Sequence, residues 1–308
     1  MSAEKSTNGR IKADAPLALR AAFKVLERVA PDAGATLARR LWFTLPQSRT
    51  RRSEVDLPPS ARFTVDVGGR PVRGTAWGSG PVVYLVHGWG GWGEQLAPYV
   101  GPLVAAGHRV VTFDAPSHGE SAPGRHGPRS STVAEMADAL LAVVAHQGAP
   151  YAMVAHSIGA MSVARVMRDY GVDAERLVFV SAAAAVAPMV PVFRATFGFG
   201  SRIEARLGPK VEQYVGIPMA DLDVPEIGHR LHAQGRLPAL FLAHDEIDAQ
   251  TPYRGSLEIA EAWRAEPPLI TSGLGHRRII RSEQVVTAAV QFLTGVREGE
   301  TSQDRMVG

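Results

Sequence analysis

Five consecutive apolar residues, Val82–Val86, run straight into His87-Gly88-Trp89-Gly90-Gly91, and no other stretch restricts the fold of this chain as much. A run so short and so apolar has no polar face to give to water, which predicts a strand buried on both sides. Similar strands are expected at Arg109–Phe113, Tyr151–Ala155, Leu177–Val180, Ala239–Ala243 and Leu269–Thr271. Helical periodicity separates them at Gln95–Ala106, Val133–His146, Ile158–Tyr170, Arg254–Trp263 and Arg278–Leu293. Thr132 and Glu135 stand at capping-box spacing at the start of the second of these helices. Strands alternating with helices call for a mostly parallel central sheet with helices on both faces, an α/β fold. Ahead of it, Arg62–Val67, the turn Gly68-Gly69 and Val72–Trp77 read as a hairpin that gives the sheet an antiparallel edge.

Two regions do not follow the alternation. Before residue 61, Leu17, Leu19, Phe23, Leu26, Val29, Leu37, Leu41 and Trp42 recur at mostly helical spacing, and Pro31-Asp32 divides them into two helices. Residues 183–236 lack a clear strand and carry Phe193, Phe197, Phe199, Ile203, Leu207, Val211 and Tyr214, which predicts helices lying over the sheet as a lid. The expected organisation is therefore an N-terminal tail and helical extension (1–60), a core (61–182 and 237–295), a helical lid (183–236) and a flexible C-terminal tail (296–308). The apolar side of the extension is expected to pack on the domain or, making a homo-oligomer through residues 16–45, on a second copy.

Composition narrows the function classes. A net charge of +3 gives no electrostatic case for nucleic-acid binding, although residues 1–60 hold eleven Lys/Arg against six Asp/Glu. The absence of cysteine removes disulfides, thiolate metal sites and a cysteine nucleophile. His118, His156 and His244 lie near strand ends, but no metal-ligand spacing joins them, and no metal or cofactor is expected. The polar start of the chain has no signal-peptide segment. The longest near-apolar run, Ser181 to Phe193, is shorter than the ~20 residues a bilayer span needs, so a cytoplasmic protein without a transmembrane segment is expected.

The strongest chemical signal is Ala155-His156-Ser157-Ile158-Gly159, where a buried strand meets a helix. So sharp a turn crowds the backbone and demands small residues two before and two after the nucleophile, here Ala155 and Gly159. It lifts the Ser157 hydroxyl above the sheet edge, with the Ile158 amide facing the same space. The glycine-rich loop after Val86 lies at the same carboxyl edge, where open α/β sheets bind ligands. A serine needs a base, and the base an orienting acid. His276 follows the last predicted strand in Gly273-Leu274-Gly275-His276, and Asp248 follows Ala239–Ala243, with Asp245 as the rival acid.

Together, His87-Gly88-Trp89-Gly90, Asp114 with Gly119-x-Ser121, the Ser157 turn, Asp248-x-x-Thr251-Pro252 and Gly275-His276 resemble the α/β-hydrolase superfamily, in its serine esterase and lipase-like branch, from about Arg62 to Leu293. The order Ser, Asp, His is the one this arrangement uses. The resemblance implies that the backbone amides of Trp89 and Ile158 form the oxyanion hole and that Asp248, four residues before Pro252, is the acid. It departs from the pattern at Ala155 and Ser117, where glycine is commoner.

The implied activity is cleavage of a carboxylic ester or thioester through an acyl-enzyme on Ser157, with Asp248 and His276 completing the triad. His87, Trp92, Phe193 and Phe197 are expected at a pocket for a small-molecule substrate with an apolar part. Acyl transfer or carbon–carbon bond hydrolysis would use the same triad. A non-catalytic binding protein of the same fold is the third reading.

Overall fold

The computed structural model describes residues 15–46 and 55–295. Residues 1–14 and 47–54 of the expected N-terminal tail and extension, and the expected C-terminal tail at 296–308, lie outside the described residues. Elements run in the order α1 (Leu17–Val29), α2 (Pro31–Trp42), β1 (Ser60–Asp66), β2 (Pro71–Trp77), β3 (Val82–Val86), α3 (Val100–Ala105), β4 (Arg109–Phe113), α4 (Val133–Gln147), β5 (Pro150–His156) and α5 (Gly159–Tyr170). They continue with β6 (Arg176–Val180), α6 (Met189–Phe197), α7 (Ser201–Val215), α8 (Val224–Ala233), β7 (Ala239–Asp245), α9 (Arg254–Ala262), β8 (Leu269–Thr271), α10 (Gly275–Arg278) and α11 (Glu283–Thr294).

The eight strands form one sheet in the order β1-β2-β4-β3-β5-β6-β7-β8. β1 and β2 are antiparallel to each other and β2 to β4, while the other pairs are parallel. From β3 the chain crosses to β4 on one side and then returns to β5 on the other. The loops leaving β3 and β5 therefore diverge, and that divergence opens a crevice at the carboxyl ends of the strands. The central strands are buried on both faces. One apolar layer packs β3, β4, β5 and β6 against α4, α5, α8 and α9; the other packs their opposite faces against α3 and α11.

Two expected helices are interrupted. In place of one helix over Gln95–Ala106, a 3₁₀ segment at Gly93–Tyr99 precedes α3, because Pro98 lacks an amide and Leu96 leaves helical geometry. In place of one helix over Arg278–Leu293, α10 leads into a 3₁₀ turn at Ile279–Arg281, and Ser282 in extended geometry starts α11. Ile279 and Ile280 are buried by this turn.

The stretch 183–236 divides by its packing. α8 joins α5 and α9 in the core, and the Trp263 indole donates to the Val224 carbonyl at 2.8 Å. α6 and α7 instead pack with α1 and α2. Phe23, Ala35, Ala38 and Phe43 from the extension meet Phe199, Ile203, Leu207, Val211 and Val215 in a third apolar cluster. The apolar side of the extension is thus covered by its own chain, with Leu17, Val25 and Val29 left exposed. Among the described residues no helix is long and apolar enough to cross a membrane.

Candidate active site

Ser157 occupies the turn between β5 and α5 with a φ of +57°, the left-handed region that a non-glycine residue rarely adopts. The turn is held from both sides: the Ser157 amide donates to the Val180 carbonyl at 3.1 Å, and the Ala183 amide to the Ser157 carbonyl at 3.2 Å. Two glycines let the backbones close around it. A Cβ on Gly159 would lie 2.8 Å from the carbonyl oxygens of Val86 and His87, and one on Gly88 would lie 2.8 Å from Ser157 Cβ. Ala155 points into the buried core and needs no such freedom.

Ser157 Oγ lies 2.9 Å from His276 Nε2, and His276 Nδ1 lies 2.7 Å from Asp248 Oδ2. All three residues are buried. An ionised carboxylate only accepts, so Nδ1 carries the proton and leaves Nε2 free to take one from Ser157. Burial alone would push the Asp248 carboxyl up. The contacts from His244, His276 and the Thr251 amide outweigh it and hold the carboxyl well below the usual carboxylate range. Asp248 Oδ1 also accepts the amides of Gln250 at 2.8 Å and Thr251 at 3.0 Å.

Asp245 has a different task. Its Oδ2 accepts from the Thr271 hydroxyl at 2.8 Å and the Leu274 amide at 2.9 Å, which ties the end of β7 to the loop carrying His276. Burial opposes ionisation of Asp245, yet amides from Gly275 and Leu274 and the Thr271 hydroxyl lower its pKa.

Two further histidines brace the loops. His156 Nε2–H donates to the His276 carbonyl at 2.8 Å, and burial followed by the neighbouring His276 pushes the His156 ring down to about 3, so it stays neutral. His244 Nε2–H donates to the Thr251 carbonyl at 2.8 Å while Ser256 Oγ sits 2.6 Å from Nδ1. Both rings lock backbone that positions His276 or Asp248.

His87, expected at the pocket, does not line it. Its Nε2 accepts the Ala115 amide at 3.0 Å and its Nδ1–H donates to the Gly88 carbonyl at 2.8 Å. Burial lowers its pKa to about 4, and the bond to Gly88 opposes that only in part. Because a trans peptide directs its C=O and N–H oppositely, the bond to the Gly88 carbonyl turns the Trp89 amide away from His87. Among the described residues, neither the Trp89 amide nor the Ile158 amide has an acceptor.

Ser157 and His276 open on a cavity of about 550 Å³. Phe193, from the expected pocket set, lines it, together with Trp89 and Ile158, the residues expected to supply oxyanion amides. Trp92 does not: it lines a separate cavity of about 290 Å³ with Asp114, Arg62 and Arg73, because the loop after β3 turns its indole toward β2 and β4. Phe197 packs instead between Phe23 and Phe193, with ring centroids at 5.9 and 4.5 Å. Sequence reasoning missed the alanine run Ala182–Ala185, which follows β6 along the cavity, and Trp42 and Phe43 from the end of α2. The alanine run carries a signal, since four small residues beyond a buried strand leave space. Nothing local distinguishes Trp42 and Phe43 from packing residues.

A model described as the alpha/beta hydrolase family matches residues 83–297. None of the curated proteins compared with the chain matches it. Among solved structures, the chain is similar to the meta-cleavage product hydrolase of Pseudomonas fluorescens, with a TM-score of 0.57 and 14% identity over 76% of this chain and 98% of that one. It is also similar to a thioesterase domain from the curacin biosynthetic pathway, with a TM-score of 0.54 and 16% identity over 77% and 99%. The monoacylglycerol lipase of Paleococcus ferrophilus gives a TM-score of 0.53 and 21% identity over 73% and 98%. At these identities the likenesses speak for the fold alone.

Proposed function

The chain belongs to the alpha/beta hydrolase family, and on that premise we propose that it is a serine hydrolase cleaving carboxylic esters or thioesters with an apolar part. The observation that carries this reading is the continuous relay from Ser157 Oγ through His276 to Asp248, at 2.9 and 2.7 Å, opening on a cavity walled by Trp89, Phe193 and alanines.

In the proposed reaction His276 Nε2 takes the Ser157 proton as the oxygen attacks the substrate carbonyl. Asp248, kept ionised by its donors, holds His276 in the Nδ1–H tautomer and stabilises the imidazolium. The negative charge that develops on the carbonyl oxygen is met by the Trp89 and Ile158 amides, whose free N–H groups support this role. His276 then gives its proton to the leaving alcohol or thiol. Water, deprotonated by His276, attacks the acyl-enzyme and releases the acid. The cavity lies within the few hundred Å³ that suits a small organic ligand. α6 and α7, resting on α1 and α2, form the cover we assign as the lid.

The test is labelling with a fluorophosphonate, alongside Ser157→Ala and His276→Ala, with the adduct mapped by mass spectrometry. Rapid labelling at Ser157, lost in both variants, is the expected result, followed by turnover of p-nitrophenyl esters or acyl thioesters. Failure of folded wild-type protein to label would overturn the reading.

A further inference from the structure

We propose that the helical pair ahead of the family-matched region is part of the substrate site, and that Trp42 limits the size of the apolar group the enzyme accepts. This rests on the serine hydrolase reading for its substrate class, but its geometry stands apart from that reading.

Residues 15–46 precede the matched region at 83–297, yet the end of α2 reaches the cavity on which Ser157 opens. Trp42 and Phe43 both line that cavity with Trp89, Val133 and Phe193. The Trp42 ring meets Phe193 edge-on at a centroid distance of 4.9 Å. The same lining includes Ala182–Ala185, whose methyl groups leave little to truncate. Among the lining residues the large rings are the ones whose truncation would open the most space.

The end of α2 is fixed firmly enough to act as a wall. Phe43 is buried and stacks on Tyr214 of α7 at 4.6 Å. The same tyrosine ring has two more partners: the Arg39 guanidinium lies 4.4 Å from its centroid, and His126 stacks on it. Tyr214 Oη is 2.9 Å from Ser130 Oγ, Thr44 bridges Ser130, and the Leu45 amide donates to the Arg129 carbonyl at 2.9 Å. Beyond them, Pro46 occupies the space where a Cβ on Gly90 would sit, in the loop that carries the Trp89 amide. Phe43 is thus held in the packing, whereas Trp42 is only half-buried and turns its ring to the cavity. Trp42 also packs against two apolar clusters, but the anchors through Phe43, Thr44 and Leu45 do not pass through its ring. Removing the indole therefore enlarges the cavity and leaves those anchors in place.

The experiment uses the full chain and two ester series, one varying the acyl group from butyryl to decanoyl on p-nitrophenol and one varying the alcohol on a fixed acyl group. Trp42→Ala is expected to raise kcat/KM for the largest members over the smallest by roughly ten-fold in one of the series, with Trp42→Phe between it and wild type. Leu19→Ala, which loosens the packing of the extension away from the cavity, is expected to lower Tm and leave the ratio unchanged. Should Trp42→Ala fold poorly, Trp42→Phe still reads the ratio. An unchanged ratio in both series, or an equal shift in Leu19→Ala, overturns the proposal. Calorimetric binding of decanoate against butyrate to Ser157→Ala protein, with and without Trp42→Ala, separates the two ideas. If esters are not hydrolysed, the hydrolase reading fails while the binding ratio still tests Trp42.

Discussion

The Nδ1–H of His87 donates to the carbonyl of Gly88 at 2.8 Å, and that bond orients the peptide whose other end is the Trp89 amide. The bond also explains why a buried histidine stands at the end of a strand. His87 grips the Ala115 amide with Nε2 and therefore couples β3 and β4 to the loop above them. His87→Ala is expected to lower kcat by roughly 10²–10³, the cost of losing one oxyanion donor, with KM little changed. Stopped-flow acylation with a p-nitrophenyl ester measures this. Wild-type kcat in a folded variant would mean that the glycine loop holds itself.

Asp248 and Asp245 are three residues apart and make opposite predictions. Asp248 contacts His276 directly at 2.7 Å, so Asp248→Asn is expected to cost on the order of 10⁴ in kcat by stabilising the wrong tautomer. Asp245 instead anchors Leu274 and Thr271. Asp245→Ala is expected to lower unfolding free energy by about 1–3 kcal/mol through unpaired buried donors, while activity per labelled serine stays closer to wild type. Active-site titration with parallel urea unfolding distinguishes them, and the reverse order of effects would transfer the orienting role to Asp245.

What could be read from the sequence follows from how local each constraint is. Ser157, Gly159 and the strand before them are dictated within a few residues, because the turn excludes side chains there. The runs that form β3, β4, β5 and β6 are equally local, since a strand buried on both faces is apolar at most of its positions. The residues by themselves leave Asp248 and Asp245 as rivals; the resemblance favours Asp248 by its spacing from Pro252, and the separate contacts of the two carboxylates come only from the fold. Trp92 and His87 share a glycine-rich loop with Trp89, and nothing in the spacing says which ring faces the cavity; His87 is drawn away by its bonds to Gly88 and Ala115, and Trp92 lines the other cavity. Trp42 was still less accessible, being 115 residues from Ser157 in sequence and brought near it only by the packing of α2 on α7.

Thr132 caps α4 as its spacing suggests, its Oγ1 accepting the Glu135 amide at 3.1 Å. The reciprocal half of the capping box is absent from the described contacts: the Glu135 carboxylate accepts the Arg125 amide at 2.7 Å instead. The cap therefore fastens the loop 124–131, which carries Arg129 and Ser130, to the helix whose first residue, Val133, lines the cavity. Thr132→Ala is expected to cost about 1 kcal/mol. Glu135→Ala, which strands a partly buried amide, is expected to cost at least as much, about 1–3 kcal/mol. Urea unfolding midpoints at neutral pH decide the order, and a neutral Glu135→Ala would show that water replaces the carboxylate.

Acid should destabilise this protein well before its carboxylates titrate. Burial lowers His87 to about 4 and His118 and His156 to about 3, against about 6.5 in an unfolded chain. Between these values the unfolded chain binds protons that the folded chain refuses, so stability rises with pH across the window and falls as pH drops from about 6.5 toward 4. Each such ring contributes a slope of up to about 1.4 kcal/mol per pH unit inside the window. Replacing His118, whose Nδ1–H donates only to the Pro116 carbonyl at 3.0 Å, removes one of the three. Urea unfolding of wild type at pH 7.5, 6 and 5 is expected to show a steep loss, and His118→Phe a flatter one. Equal slopes would mean that His118 is protonated in the folded protein, and a flat wild-type profile would mean the same of all three.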